Sequence, residues 1–195
     1  MSLNDTTSKF WVTRKFEFQN VPENFDCQHI ISVVIPRIYQ HTIKYFQLFR
    51  ANIYFDDFVF LVSKCEAISL WNVTVKNKDG SVVALDKLIE VTPKLKHLTY
   101  NLPENSLNII NTQTVRNLIE IRRFSRLREI WLDNIPDVFD IDYFYEHLKK
   151  NKKTEITIQF SNNISERYKA RLQTIVNEIN RTKVRAYRKP TISWK

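Results

Sequence analysis

Four histidines, two cysteines and a run of aspartates are the residues of this 195-residue chain best suited to metal or acid–base chemistry. Their spacing argues against both. His29, His41, His97 and His147 are scattered and form no His-x-x-x-His pair. Cys27 and Cys65 have no Cys-x-x-Cys partner, so a structural zinc site is not expected. Two cysteines make no disulfide framework, and free buried thiols in a reducing compartment are the expectation. Asp133, Asp137, Asp140 and Asp142 suggest a cation site, but they lack the sixth-position glycine and twelfth-position glutamate of an EF-hand loop. Asp140 reads instead as the start of a helix, with Asp142 favoured by the helix dipole.

A single glycine, Gly80, removes further chemistry. Loops that cradle phosphates need several glycines so that backbone N–H groups can reach the anion. The dinucleotide fingerprint, the P-loop and a glycine-based nucleophile elbow are all missing. Asn77-Lys78-Asp79-Gly80 reads as a tight reversal between a strand and a helix. The chain is therefore expected to be non-enzymatic and to carry no cofactor. What remains is binding.

Two sets of binding residues stand out. Large aromatics at Tyr45, Phe49, Trp71 and Trp131, with Glu129 and Asp133, occupy outward strand positions where a solvated strand would carry Thr or Lys. They are the candidate surface for a protein partner. The alternative is a nucleic-acid surface through the basic carboxy-terminal region, at Arg181, Lys183, Arg185, Arg188 and Lys189. The formal net charge of +9 is concentrated there: residues 165–195 sum to +7, residues 149–164 to +3 and residues 1–148 to −1.

These residues depend on a set of repeated elements. Alternating apolar triplets begin at Phe16, Phe46, Ile68, Leu98, Ile130 and Ile156, with intervals of 30, 22, 30, 32 and 26 residues. Ile43, Cys65, Leu95 and Leu127 each precede a triplet by three positions, which gives the skeleton L-x-x-L-x-L. An asparagine follows two of the cores, at Asn72 and Asn134, near where such repeats turn the chain. Helical spacing appears between the triplets, at Leu85/Leu88/Ile89, at Val115/Leu118/Ile119 after a cap at Thr112 or Thr114, and at Phe139/Tyr143/Phe144/Leu148. A weaker helix is expected over 25–36, and 55–62 fits strand or helix equally. Ser165 caps the clearest helix, whose stripe is Tyr168, Leu172, Ile175, Val176 and Ile179.

The pattern predicts an α/β fold, an irregular leucine-rich-repeat-like solenoid of strand–helix units with a C-terminal capping helix. One domain is expected over 10–180, after an N-terminal extension (1–9). A basic tail or edge-following strand is expected over 181–195. No apolar run approaches the roughly 20 residues of a membrane-spanning helix. Met1–Asp5 lacks the blocks of a secretion signal, so an intracellular setting, cytoplasmic or nuclear, is expected.

Two stretches also carry a family resemblance. One is the run Cys65-Glu-Ala-Ile-Ser-Leu-Trp-Asn-Val-Thr-Val, continuing to Leu95. The other is Phe124-Ser-Arg-Leu-Arg-Glu-Ile-Trp-Leu-Asp-Asn-Ile-Pro, followed by Phe139-Asp-Ile-Asp-Tyr-Phe. Both resemble the nematode F-box-associated proteins, whose post-F-box region is a degenerate leucine-rich-repeat-like solenoid. The resemblance implies non-enzymatic substrate recognition for a cullin-type ubiquitin ligase, with a ubiquitination substrate as the protein partner. The F-box itself is not evident. Val21-Pro22-Glu23, followed by Ile30 and Ile31, is the nearest string and lacks the leucine-rich continuation. Docking to the ligase adaptor is therefore not expected.

Overall fold

Alternation with one apolar face makes a strand that must lie against other strands and bury that face under helices. A computed structural model describes residues 9–18, 33–104 and 108–194. It shows that solution as an α/β fold. Seven strands lie in one open sheet, all parallel and in chain order: β1 (Phe10–Phe18), β2 (Ile38–Tyr54), β3 (Ala67–Lys76), β4 (His97–Asn101), β5 (Glu129–Ile135), β6 (Glu155–Phe160) and β7 (Thr191–Trp194). Each of the six apolar triplets lies in one of β1–β6. The inward members of five of them, from Phe46 to Ile158, are buried in one core.

Five helices occur among the described residues: α1 (Phe55–Val62), α2 (Leu85–Glu90), α3 (Thr114–Glu120), α4 (Ile141–Leu148) and α5 (Glu166–Arg181). They share that core with the inward strand residues, which fixes the helical face of the sheet. The ambiguous stretch 55–62 is helical. Phe58, Leu61 and Val62 stand three and four residues apart and are buried, while Asp56 and Asp57 occupy the first turn.

The caps separate two cases. Asp140 and Ser165 accept the expected bonds from Tyr143 N (3.0 Å) and Tyr168 N (3.4 Å). No side chain caps α3, correcting the expectation for Thr112 or Thr114. Thr114 is the buried first residue of that helix, and its hydroxyl accepts from Asn111 N instead (2.9 Å). In α4 the inward aromatics are Phe144 and Tyr145. Tyr143, expected on the apolar face, is 43% exposed under the Arg116 guanidinium.

The strands contain a register device. Arg50, Asn72 and Asn134 have φ of 45°, 54° and 62°, and each lies two residues after the last inward leucine of its triplet. The pairing passes from Phe49↔Trp71 to Ala51↔Val73 and omits the residue between. One left-handed residue therefore changes the inward series from every second residue to a single jump of three: Leu48 to Ala51, Leu70 to Val73, Leu132 to Ile135. Asparagine tolerates this conformation because its short amide bonds locally.

The chain does not end on a helix. After α5 it returns to the sheet, and β7 pairs with β6, so of the tail or edge-following strand expected there the structure shows the strand. The expected helix over 25–36 lies mostly outside the described residues, except for residues 33–37, which end in a 3-10 turn at Ile35–Arg37. Cys27, His29, Ile30, Ile31 and the Val21-Pro22-Glu23 string also lie outside them.

Candidate protein-docking face

Strand residues that do not point at the helices form rungs across the opposite face. One rung carries Tyr45, Ala67, His97 and Glu129 on adjacent strands, the next Gln47, Ser69, Thr99 and Trp131, and the third Phe49, Trp71, Asn101 and Asp133. Phe49 and Trp71 are register partners and stack at 5.8 Å between centroids, within 4° of parallel. Trp71 pairs with Asn101 and Trp131 with Thr99, so the two indoles sit on different rungs either side of β4. They nonetheless meet, with centroids 5.0 Å apart and planes at 56°. Strands two apart are separated by about 9.6 Å. The small side chain of Thr99 beneath lets the indoles lean across that gap. The result is an aromatic ridge running from β2 to β5, each ring half-buried against its neighbours.

The other predicted docking residues are placed differently. Tyr45 is 45% exposed one rung away. Glu129 lies at the surface, its carboxylate 3.2 Å from His97 Nδ1. Asp133 is only 6% exposed. It accepts from Asn101 Nδ2 at 2.6 Å and from Asn134 N at 2.8 Å, bracing the left-handed turn instead of facing outward.

Beyond the ridge, at the carboxyl ends of the strands, a groove of ≈ 870 Å³ is lined by Phe49, Trp71, Asn72, Asn101, Asn134 and Asn162 among others. Asn134 Nδ2 donates to the carbonyls of Leu102 (3.1 Å) and Pro103 (3.3 Å). Sequence reasoning missed this amide-lined groove. The available signal was the asparagine two positions after Leu70 and Leu132.

The remaining chemistry-bearing residues are committed elsewhere. Asp137, Asp140 and Asp142 line one cleft beside Tyr168, and each is engaged by a donor: Ser165 N, Tyr143 N and Arg171 respectively. Among the described residues no three His, Cys, Asp or Glu side chains are grouped so as to hold a metal, and no helix is long and apolar enough to cross a membrane. Cys65 is buried, its thiol pushed up to about 12 by desolvation, and it is poorly disposed to act as a nucleophile. Ser63 Oγ lies 3.4 Å from His41 Nε2 but donates to the Phe60 carbonyl at 2.9 Å. Among the described residues His41 Nδ1 has no hydrogen-bond partner, so no third group there completes a triad.

Of the basic candidates, two are structural. Arg185 donates to the Ile179 carbonyl at 2.8 and 3.2 Å, closing the end of α5. Arg188 pairs with Glu155 and donates to the Lys153 carbonyl, pinning the approach to β7. Arg181, Lys183 and Lys189 are exposed. Comparison with protein-family models, curated proteins and solved structures found no match to this chain.

Proposed function

We propose that the chain is a non-enzymatic protein-interaction module, built as an irregular leucine-rich-repeat-like solenoid, and that its aromatic sheet face docks a protein partner. The Phe49–Trp71–Trp131 ridge carries this reading. These rings stand on the sheet face away from the helices and do not belong to the core that the helices share with the inward residues. A partner that covers them gains apolar burial and stacking in the middle of the face. The flanking Gln47, Ser69 and Thr99 supply the polar surround typical of such patches.

The strand order supports the solenoid part of the reading. Every unit pairs only with the units before and after it in the chain, so each borrows apolar cover from its neighbours. The resemblance to F-box-associated proteins extends the proposal: the docked protein would be one selected for ubiquitination.

Capture of partners from a native extract, with mass spectrometry of the bound proteins, tests the reading against the variant Trp71→Ala/Trp131→Ala. Losing two central aromatic anchors is expected to weaken the captured partner by at least about 30-fold, the equivalent of ~2 kcal/mol. The variant should keep the wild-type circular dichroism. A folded double variant that captures the same partners with unchanged affinity rejects the assignment.

A further inference from the structure

In a sheet whose strands are all parallel, every segment leading from a helix into a strand emerges at the same rim. Four such segments, 91–96, 121–128, 149–154 and 181–190, lead into β4, β5, β6 and β7. Together they hold fifteen of the thirty Lys and Arg residues and none of the 21 Asp and Glu residues. The segments that leave the strands at the opposite end, 77–84, 102–113, 136–140 and 161–165, hold one lysine and four acidic residues. The fold thus separates charge along the strand direction. Along the chain this is hidden, because residues 1–148 sum to −1.

The rim segments lie side by side. Arg128 N donates to the Lys96 carbonyl (2.7 Å), Glu155 N to the Arg128 carbonyl (2.8 Å), and Arg188 N to the Asn151 carbonyl (2.8 Å). Five of the fifteen cations are engaged: Lys96, Lys149 and Arg188 by carboxylates, Arg123 and Arg185 by backbone carbonyls. The other ten are exposed, and among the described residues none has a carboxylate partner. Five of these, Arg126, Arg128, Lys150, Lys152 and Lys153, cluster where two segments meet. A pocket of ≈ 310 Å³ opens there, lined by Phe124, His147 and the three lysines among others.

We infer that this rim is a nucleic-acid-binding surface that engages the phosphate backbone without reading bases. Repeated uncompensated cations, spread over three strand spacings of about 14 Å, match a ligand whose charge also repeats. A phosphorylated side chain brings only one doubly charged group. A membrane-binding surface adds apolar side chains for insertion, and Val184, at 92% exposure, is the only exposed large apolar residue on the rim. Phe124 is buried and Tyr187 half-buried, so these four rim segments present no exposed aromatic for base stacking, and contact there is confined to phosphates.

Fluorescence anisotropy with labelled 20-nucleotide single-stranded and duplex oligonucleotides, at 50 and 200 mM salt, tests this on the full chain. Engagement of about four to six phosphates predicts a log–log salt slope of roughly −3 to −5, a loss of about 10²- to 10³-fold between the two conditions. Replacing Arg126, Arg128, Lys150, Lys152 and Lys153 by Gln should cut affinity at least tenfold and flatten the slope. The melting temperature should not change. The two halves of that variant, R126Q/R128Q and K150Q/K152Q/K153Q, provide folded alternatives.

A control that removes equal charge away from the rim, Lys76→Gln/Lys78→Glu/Arg167→Glu, should bind as wild type. So should the Trp71→Ala/Trp131→Ala variant, which separates this surface from the docking face. No binding at 50 mM salt, equal binding by a folded rim variant, or equal loss in the control overturns the inference. Tighter binding to vesicles of 30% phosphatidylserine, or to a phosphoserine peptide, also overturns it.

Discussion

Inserting one serine between Asn72 and Val73 is the sharpest test of how this sequence sets its register. Asn72 is the extra, left-handed residue of β3, with φ of 54°, and pairing resumes at Ala51↔Val73. With one more residue before Val73, the period-2 pleat would carry Val73 and Val75 to the outer face and bring Thr74 inward. Both valines are now at most 1% exposed. Losing the burial of two valine side chains costs about 3–6 kcal/mol, and burying the Thr74 hydroxyl adds about 1–3 kcal/mol. The insertion should therefore remove about 4–9 kcal/mol, a large share or all of the roughly 5–15 kcal/mol that holds a domain of this kind.

Two point variants calibrate the effect. Asn72→Gly keeps the left-handed residue and should stay within about 0.5 kcal/mol of wild type. Asn72→Val places a β-branched side chain at positive φ and should cost about 1–2 kcal/mol. Urea denaturation followed by tryptophan fluorescence reads all three. An insertion variant within 1 kcal/mol of wild type, or an Asn72→Gly variant as unstable as the insertion, refutes the register argument.

Glu66 gives a pH-dependent prediction. Hydrogen bonds and charge from Lys96 and Lys44 hold its carboxyl at about 2, below the 4.5 of the free group. A depressed folded-state value contributes stability above 4.5 that is lost as pH falls toward 2. The stability difference between wild type and Glu66→Gln should thus be present at neutral pH and vanish across that window. A pH-independent difference in chemical denaturation contradicts it. Tyr100 gives a prediction about a buried hydroxyl: it donates to the Val73 carbonyl at 2.7 Å, just beyond the last β3–β4 pair, where no β4 residue is left to do so. Tyr100→Phe should cost about 1–3 kcal/mol with an unchanged urea m-value. A cost below 0.5 kcal/mol would mean that this carbonyl finds another donor.

Strand cores were legible because burial of one face imposes a strict period of two, and Phe46, Ile68, Leu98, Ile130 and Ile156 obey it. Asp133 shows where the same rule stops: it follows Leu132 in an outward position, but the left-handed Asn134 turns the chain there and draws the carboxylate into the sheet end. Phe55–Val62 was unreadable by type because phenylalanine and valine suit both states, and only the docking of Phe58, Leu61 and Val62 into the core selects a helix. β7 was legible only as one of two alternatives, tail or edge-following strand, because four residues with one inward side chain, Ile192, carry too little pattern. Trp71 and Trp131 were identified as outward residues. Their meeting across β4 was not legible, because it depends on a diagonal between rungs and on the small Thr99 beneath.

The distribution of charge makes the same point at larger scale. Counting along the chain isolates the last quarter as basic and calls the rest nearly neutral. That count treats neighbours in sequence as neighbours in space, which holds for a helix and fails for a parallel sheet. Here residues about 30 apart in the chain, such as Lys96 and Arg128, are hydrogen-bonded neighbours, whereas the two ends of one strand face opposite rims. Had the same segments been joined antiparallel, basic connections would have alternated between the ends and the field would largely cancel. Parallel connection in chain order adds them instead. The cations of the C-terminal quarter are therefore one end of a row that begins at Lys94. The aromatic ridge stands on the broad face of the sheet and the row runs along its edge. Occupants of the two surfaces should answer to different perturbations, apolar truncation for one and salt for the other.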